Sequence, residues 1–174
     1  MYKNIFHKNF ILEAQNYLSY GSNYDIPKKW KLILINDGSL TQSLSSLTGK
    51  PINLKIVKEY NNKLINKIYR TREVWLEDQK FNKLAFAQSV WPSYYNTELP
   101  DNKPVGQSFI ENQLDIHKEI HEVYYGYSQY IESKFNCQGP IWGRKYTIYH
   151  KATRLTTLDE IFSPQIAHFF NIKT

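Results

Sequence analysis

The 174-residue sequence holds one cysteine, one methionine and only seven glycines, and each shortage removes a class of explanation. Cys137 has no second thiol to pair with, so an internal disulfide and a cysteine-rich metal site are both excluded, a usage that suits a reducing compartment. The few glycines form no phosphate-binding loop. No run approaches the roughly 20 apolar residues of a membrane-spanning helix, so no membrane span is expected. The opening residues, Met1-Tyr-Lys-Asn-Ile-Phe-His7, lack the apolar core of a signal peptide and the arginine and serine bias of a transit peptide. The expectation is a protein that works in the compartment where it is made.

What is present describes a globular chain. Hydrophobic residues make up 41% and aromatic residues 16% of the sequence, enough for one domain with a full core. The 22 lysines and arginines exceed the 16 acidic residues, giving a net charge of +6. They are scattered, without a dense basic run, and read as a solvated surface that also helps attract an anionic substrate. No nucleic-acid partner is expected. Heavy use of Asn, Lys, Ile and Tyr reflects an AT-rich coding sequence rather than a function.

Along the chain, Phe6, Phe10, Ala14 and Leu18 recur four apart and predict an amphipathic helix over 5–18. Pro27 favours a helix over 28–35. Ser39 is a candidate N-cap for a helix over 40–47, with Leu40, Leu44 and Leu47 on its inner face and Gly49 and Pro51 after its end. Alternation at Ile52, Leu54 and Ile56 predicts a strand. Strands follow over 70–77 and over 84–91, the latter with small Ala85, Ala87 and Ser89 on one side, as beneath a ligand or a close-packed helix. Asp101 or Asn102 caps a short helix reaching about Glu111, with Pro104 in its first turn. Residues 114–135 alternate and are rich in tyrosine, predicting a strand pair around Gly126. Two further strands cover 141–150 and 155–164. The class is α+β, a single antiparallel sheet with flanking helices.

Two charges fall on the wrong faces. Arg72 alternates with Val74 and Leu76, and Glu160 alternates with Leu158 and Phe162, so each points inward among apolar neighbours. An unpaired buried charge costs several kcal/mol. Either these two pair with each other, or with Glu73 or Asp159, as a core salt bridge, or they face a ligand pocket. In that pocket the arginine would hold a carboxylate and the glutamate would meet a hydroxyl or move a proton. Spacing alone leaves both open. The first helical residues at Leu40 and Val105 carry N–H groups with no intrahelical partner, and these favour an anion. His117-Lys-Glu-Ile-His121 puts His117, Glu119 and His121 on one strand face without a further ligand, so no metal is expected. The run Tyr124–Tyr130 reads as sheet surface rather than a base-stacking platform.

An ordered set of motifs carries a resemblance: Asp37-Gly-Ser-Leu-Thr41, Gly49-Lys50, Arg72-Glu-Val74, Leu84-Ala85 with Ser89 and Pro92, Lys103-Pro-Val-Gly106, Trp142-Gly-Arg144 and Leu158-Asp-Glu-Ile-Phe-Ser-Pro164. In this order, from about Trp30 onward, the chain resembles the chorismate pyruvate-lyase family, especially its plastid-encoded and cyanobacterial branch. The segment between Gly106 and Trp142 is longer than in bacterial members. The resemblance implies one chorismate lyase-like domain over 1–174, with residues 1–26 an N-terminal helix and turn. It implies a cofactor-independent lyase converting chorismate to 4-hydroxybenzoate and pyruvate for quinone head-group synthesis. Arg72 and Glu160 then take the catalytic positions, and the N–H groups of Leu40 and Val105 join Arg72 and Glu160 in binding substrate. A monomer in the plastid stroma is expected, with the bacterial cytoplasm as the alternative. Two other classes are weighed against it. One is a non-catalytic small-molecule-binding module of the same fold, of the kind that follows a helix-turn-helix domain, for which residues 1–30 are too few. The other is a basic RNA-binding protein.

Overall fold

The computed structural model describes residues 26–64, 67–92 and 104–170, together with the backbone of 7–13. The chain runs β1 (His7–Glu13), α1 (Lys28–Leu34), α2 (Leu40–Thr48), β2 (Asn53–Leu64), β3 (Lys67–Glu77) and β4 (Lys83–Pro92). It continues through α3 (Val105–Glu111), β5 (Ile116–Tyr127), α4 (Gln129–Phe135), β6 (Ile141–His150), β7 (Thr153–Phe162) and α5 (Ile166–Phe169). The strands form one sheet in the order β1-β5-β6-β7-β4-β3-β2, every neighbouring pair antiparallel. This is the expected α+β architecture.

Strand order positions the site. The meander β2–β3–β4 and the unit β5–β6–β7 join where β7 pairs with β4. Arg72 on β3 and Glu160 on β7 therefore lie two strand spacings apart with β4 between them, roughly 10 Å across the sheet. The small side chains of Ala87 and Ser89 lie opposite Glu160 and Arg72 respectively.

Local chemistry accounts for the helices that cover this face. Pro27 caps α1, where its missing N–H leaves no bond unmade. The Ser39 hydroxyl accepts from the Gln42 N–H, and Gly49 closes α2 in the left-handed conformation that glycine adopts without strain. Trp30 of α1 packs against Trp142, Phe162 and Phe170 at ring-centroid distances of 5.7, 6.3 and 5.4 Å. With Leu34, Leu44, Leu84, Leu155 and Ile166 it forms the main core. On the opposite face Trp75, Phe86, Tyr124 and Ile161 meet Ile131 and Phe135 of α4 in a smaller cluster.

Two expected elements are corrected. The segment predicted as a helix over 5–18 contains strand β1, which runs along the free edge of β5. An open row of backbone donors and acceptors outweighs a modest helical stripe; Phe6, Ala14 and Leu18 lie outside the described residues. The strand pair over 114–135 is instead one strand followed by α4. Gly126 stays in β5 because it is paired on both sides, to Lys8 and to Ile141. The chain turns only where Ser128 accepts the Ile131 N–H as an N-cap, with Ile131 and Phe135 four apart on the buried side. The proposed caps Asp101 and Asn102 lie outside the described residues.

Candidate active site

A cavity of about 240 Å³ lies between the sheet and the starts of α2 and α3. Its floor comes from alternate residues of the central strands: Arg72 and Val74 from β3, Ala87 and Ser89 from β4, Leu158 and Glu160 from β7, Tyr146 from β6 and Lys118 from β5. Its roof is made by residues 37–41 and 104–106. The two helix starts approach closely there. A Cβ on Gly106 would come within 3.2 Å of the Ser39 hydroxyl and 3.3 Å of its Cα, so any larger residue would push the two apart.

All four residues singled out in the sequence line this one cavity: Leu40, Arg72, Val105 and Glu160. Arg72 and Glu160 are 3% and 2% exposed, which makes both inward readings right. Their partners differ from those weighed above. Glu160 does not pair with Arg72. Arg144, directly opposite it on β6, donates from Nε to Oε2 at 2.6 Å, and the Tyr146 hydroxyl donates to Oε1 at 2.7 Å. Arg144 also reaches past the sheet, its Nη1 donating to the carbonyls of Ile33, Leu34 and Asn36. One guanidinium thus ties the glutamate to the C-terminal end of α1, where unsatisfied carbonyls favour a cation. The Tyr146 hydroxyl is held well above the ordinary tyrosine pKa, by burial first and by the Glu160 charge second, so it remains a donor. Arg72 places Nε 3.6 Å from Glu59 on β2, a carboxylate that also meets Arg70.

Glu73 and Asp159, the other proposed counterparts, fall on the opposite face of the sheet, as the strand period of two requires. Glu73 accepts from Gln88 and Tyr60, and Asp159 accepts from the Tyr124 hydroxyl at 2.5 Å. Gly143 belongs to the same face. A Cβ there would lie 2.1 Å from the Tyr124 ring, so the glycine of Trp142-Gly-Arg144 makes room for the tyrosine that bonds Asp159.

Two charged residues of the site escaped the sequence reading. Arg144 alternates with Trp142, Tyr146 and Ile148, and Lys118 alternates with Ile116 and Ile120. Each is an inward charge on an apolar strand face, the same signal that flagged Arg72 and Glu160. Lys118 donates to the carbonyls of Asn36 and Gly38, both at 3.0 Å, and lies 4.7 Å above the Tyr146 ring. Burial, and then the nearby Arg144 charge, bring its ammonium down to a pKa of about 8, against the opposing pull of Glu160 and Asp37. Of the histidines, His121 bonds the Thr147 hydroxyl and His117 is exposed beside Tyr149. Among the described residues, no group of three His, Cys, Asp or Glu is placed to hold a metal, and no helix is long and apolar enough to cross a membrane.

The model of the Rv2949c-like chorismate pyruvate-lyase family matches residues 34–170, which span both ends of this cavity. The chain belongs to that family. Its relatives include the uncharacterized ycf21 protein of Antithamnion sp., 42% identical over 151 residues covering 84% of each chain. The ycf21 proteins of Pyropia yezoensis and Cyanophora paradoxa are 35% and 27% identical. Among solved structures, the effector domain of PhnF from Mycobacterium smegmatis superposes with a TM-score of 0.61 at 7% identity, covering 76% of this chain and 92% of that one. The gene product SA0254 from Staphylococcus aureus gives a TM-score of 0.55 at 9% identity, covering 74% and 90%. At these identities the likeness establishes the shared fold.

Proposed function

We propose that the protein is a cofactor-independent chorismate lyase releasing 4-hydroxybenzoate and pyruvate. The observation that carries the reading is one cavity with a buried arginine at one end and a doubly hydrogen-bonded glutamate at the other, in a member of this family. Arg72 and the N–H groups of Leu40 and Val105 hold the ring carboxylate. Glu160 meets the ring hydroxyl, its own orientation set by Arg144 and Tyr146. In the reaction the bond between the ring and the enolpyruvyl oxygen breaks, and the oxygen keeps the electron pair. The ring carbon bearing the hydroxyl loses its proton, and those electrons complete the aromatic ring. The departing enolpyruvate takes up a proton on its methylene carbon to become pyruvate. Because aromatisation drives the step, holding the substrate in a reactive orientation is the protein's main contribution. Closure around a charged aromatic acid makes product release slow.

The ycf21 relationship and the AT-rich composition support a plastid setting, in the stroma, with the product feeding quinone head-group synthesis. The whole 174-residue chain acts as one domain and a monomer. The fold shared with a regulator's effector domain favours one competing reading, a binding module without turnover. Incubating the protein with chorismate and assaying both products separates the two. Formation of 4-hydroxybenzoate and pyruvate above the spontaneous rate supports the lyase. Tight 4-hydroxybenzoate binding without turnover supports the module.

A further inference from the structure

We infer that Lys118 receives the second carboxylate of the substrate, the one carried by the departing enolpyruvyl group. This deepens the lyase reading and rests on it. Chorismate is a dianion, and the assignment above places only its ring carboxylate, on Arg72. Enclosing a second carboxylate without a cation would be strongly unfavourable. Arg144 is already committed, to Glu160 and to three backbone carbonyls, and has no exposed surface. Lys118 lines the cavity. Among the described residues its acceptors are two neutral carbonyls, those of Asn36 and Gly38, and an ammonium has three N–H groups.

Its place in the sheet supplies the rest. The strands run β5–β6–β7–β4–β3 across the floor, so Lys118 stands on the Glu160 side, opposite Arg72. The enolpyruvyl group is attached to the ring carbon next to the hydroxyl-bearing one, and therefore projects from the Glu160 end. Around Lys118 stand Arg144 and Tyr146 from β6, Glu160 from β7 and Asp37 from the turn before α2. A carboxylate arriving among these groups favours the protonated amine. Binding of a dianion near pH 8 then draws a proton from solution, up to about half a proton per site for an ammonium with a pKa near 8.

The test compares 4-hydroxybenzoate with 3-carboxymethoxy-4-hydroxybenzoate, an unreactive aromatic acid carrying a second carboxylate at the enolpyruvyl position. Both are titrated calorimetrically at pH 8 in two buffers of different ionisation enthalpy, with wild type, Lys118→Met and Lys118→Arg. The expected result is proton uptake with the diacid only. Lys118→Met weakens the diacid on the order of tenfold or more while changing the monoacid less than threefold, and Lys118→Arg restores the preference. Equal weakening of both ligands would make Lys118 a tether for the 36–38 turn and overturn the inference. So would equal proton uptake by the two ligands in wild type, a measurement that needs no variant to fold. Lys118-dependent diacid binding without chorismate turnover would sink the lyase reading and leave this subsite standing. Turnover with a diacid preference that survives Lys118→Met would do the reverse.

Discussion

The two ends of the cavity are built differently. At the Glu160 end both carboxylate oxygens are engaged by Arg144 and Tyr146 at 2.6 and 2.7 Å, all three residues are buried, and Arg144 is anchored to α1. At the Arg72 end the guanidinium faces Glu59 across 3.6 Å, and the Glu59 side chain is 28% exposed and shared with Arg70. The first end is a finished network that a ligand meets as a fixed surface. At the second, the Arg72 guanidinium stands beside the partly exposed Glu59, whose carboxylate would compete with any incoming one. The opposite ends are thus a buried charge network and an arginine beside a partly exposed carboxylate.

The largest effect should come from breaking the finished end. Arg144→Met leaves the Glu160 carboxylate buried without its cation and takes the Arg144 donor from the carbonyls of Ile33 and Leu34, while the Asn36 carbonyl keeps Lys118. A loss of roughly 3–5 kcal/mol in urea unfolding is expected; a loss below about 1 kcal/mol would mean that the network is not structural. Arg72→Ala should do the opposite, lowering 4-hydroxybenzoate affinity on the order of 10- to 100-fold, with a smaller change in unfolding free energy than Arg144→Met. Titration of the two variants side by side checks the contrast, and it collapses if both lose stability and binding in the same proportion.

Smaller changes sharpen it. Glu59→Gln removes the carboxylate that competes for Arg72, so binding of an aromatic acid should tighten by roughly two- to fivefold, the size of a partly exposed ion pair. Weaker binding would show that Glu59 orients Arg72 rather than competing for it. Lys118 shows itself in stability against pH. Its folded pKa of about 8 lies below the unfolded value of 10.5. Between those values the unfolded chain binds the extra proton, so this residue's contribution rises with pH, and below pH 8 its penalty is fully present. Wild type should gain stability relative to Lys118→Met in urea unfolding from pH 7 to pH 10; a relative loss over that range would contradict the depressed pKa.

Much of this was legible beforehand wherever a local rule applied. Ser39 and Gly49 bound α2 as their side-chain and backbone preferences demand, and strand alternation placed Arg72, Val74 and Leu76 on one face. The same alternation marks Arg144, between Trp142 and Tyr146, and Lys118, between Ile116 and Ile120, as inward charges. The segment of β1 misled because edge pairing, a long-range backbone term, decided its conformation. The stretch after Gly126 misled because alternation in tyrosines is compatible with a strand or with the short helix that Ser128 caps.

By itself, the sequence determined which residues turn inward and which turns end each element, because these depend on side-chain volume, alternation and capping within a few residues. The ordered motifs also carried the family. Only the tertiary structure decided which charge meets which. Placing β7 between β4 and β6 gives Glu160 to Arg144 and leaves Arg72 two strands away, and strand order is settled by hydrogen bonding and packing between segments far apart in the chain.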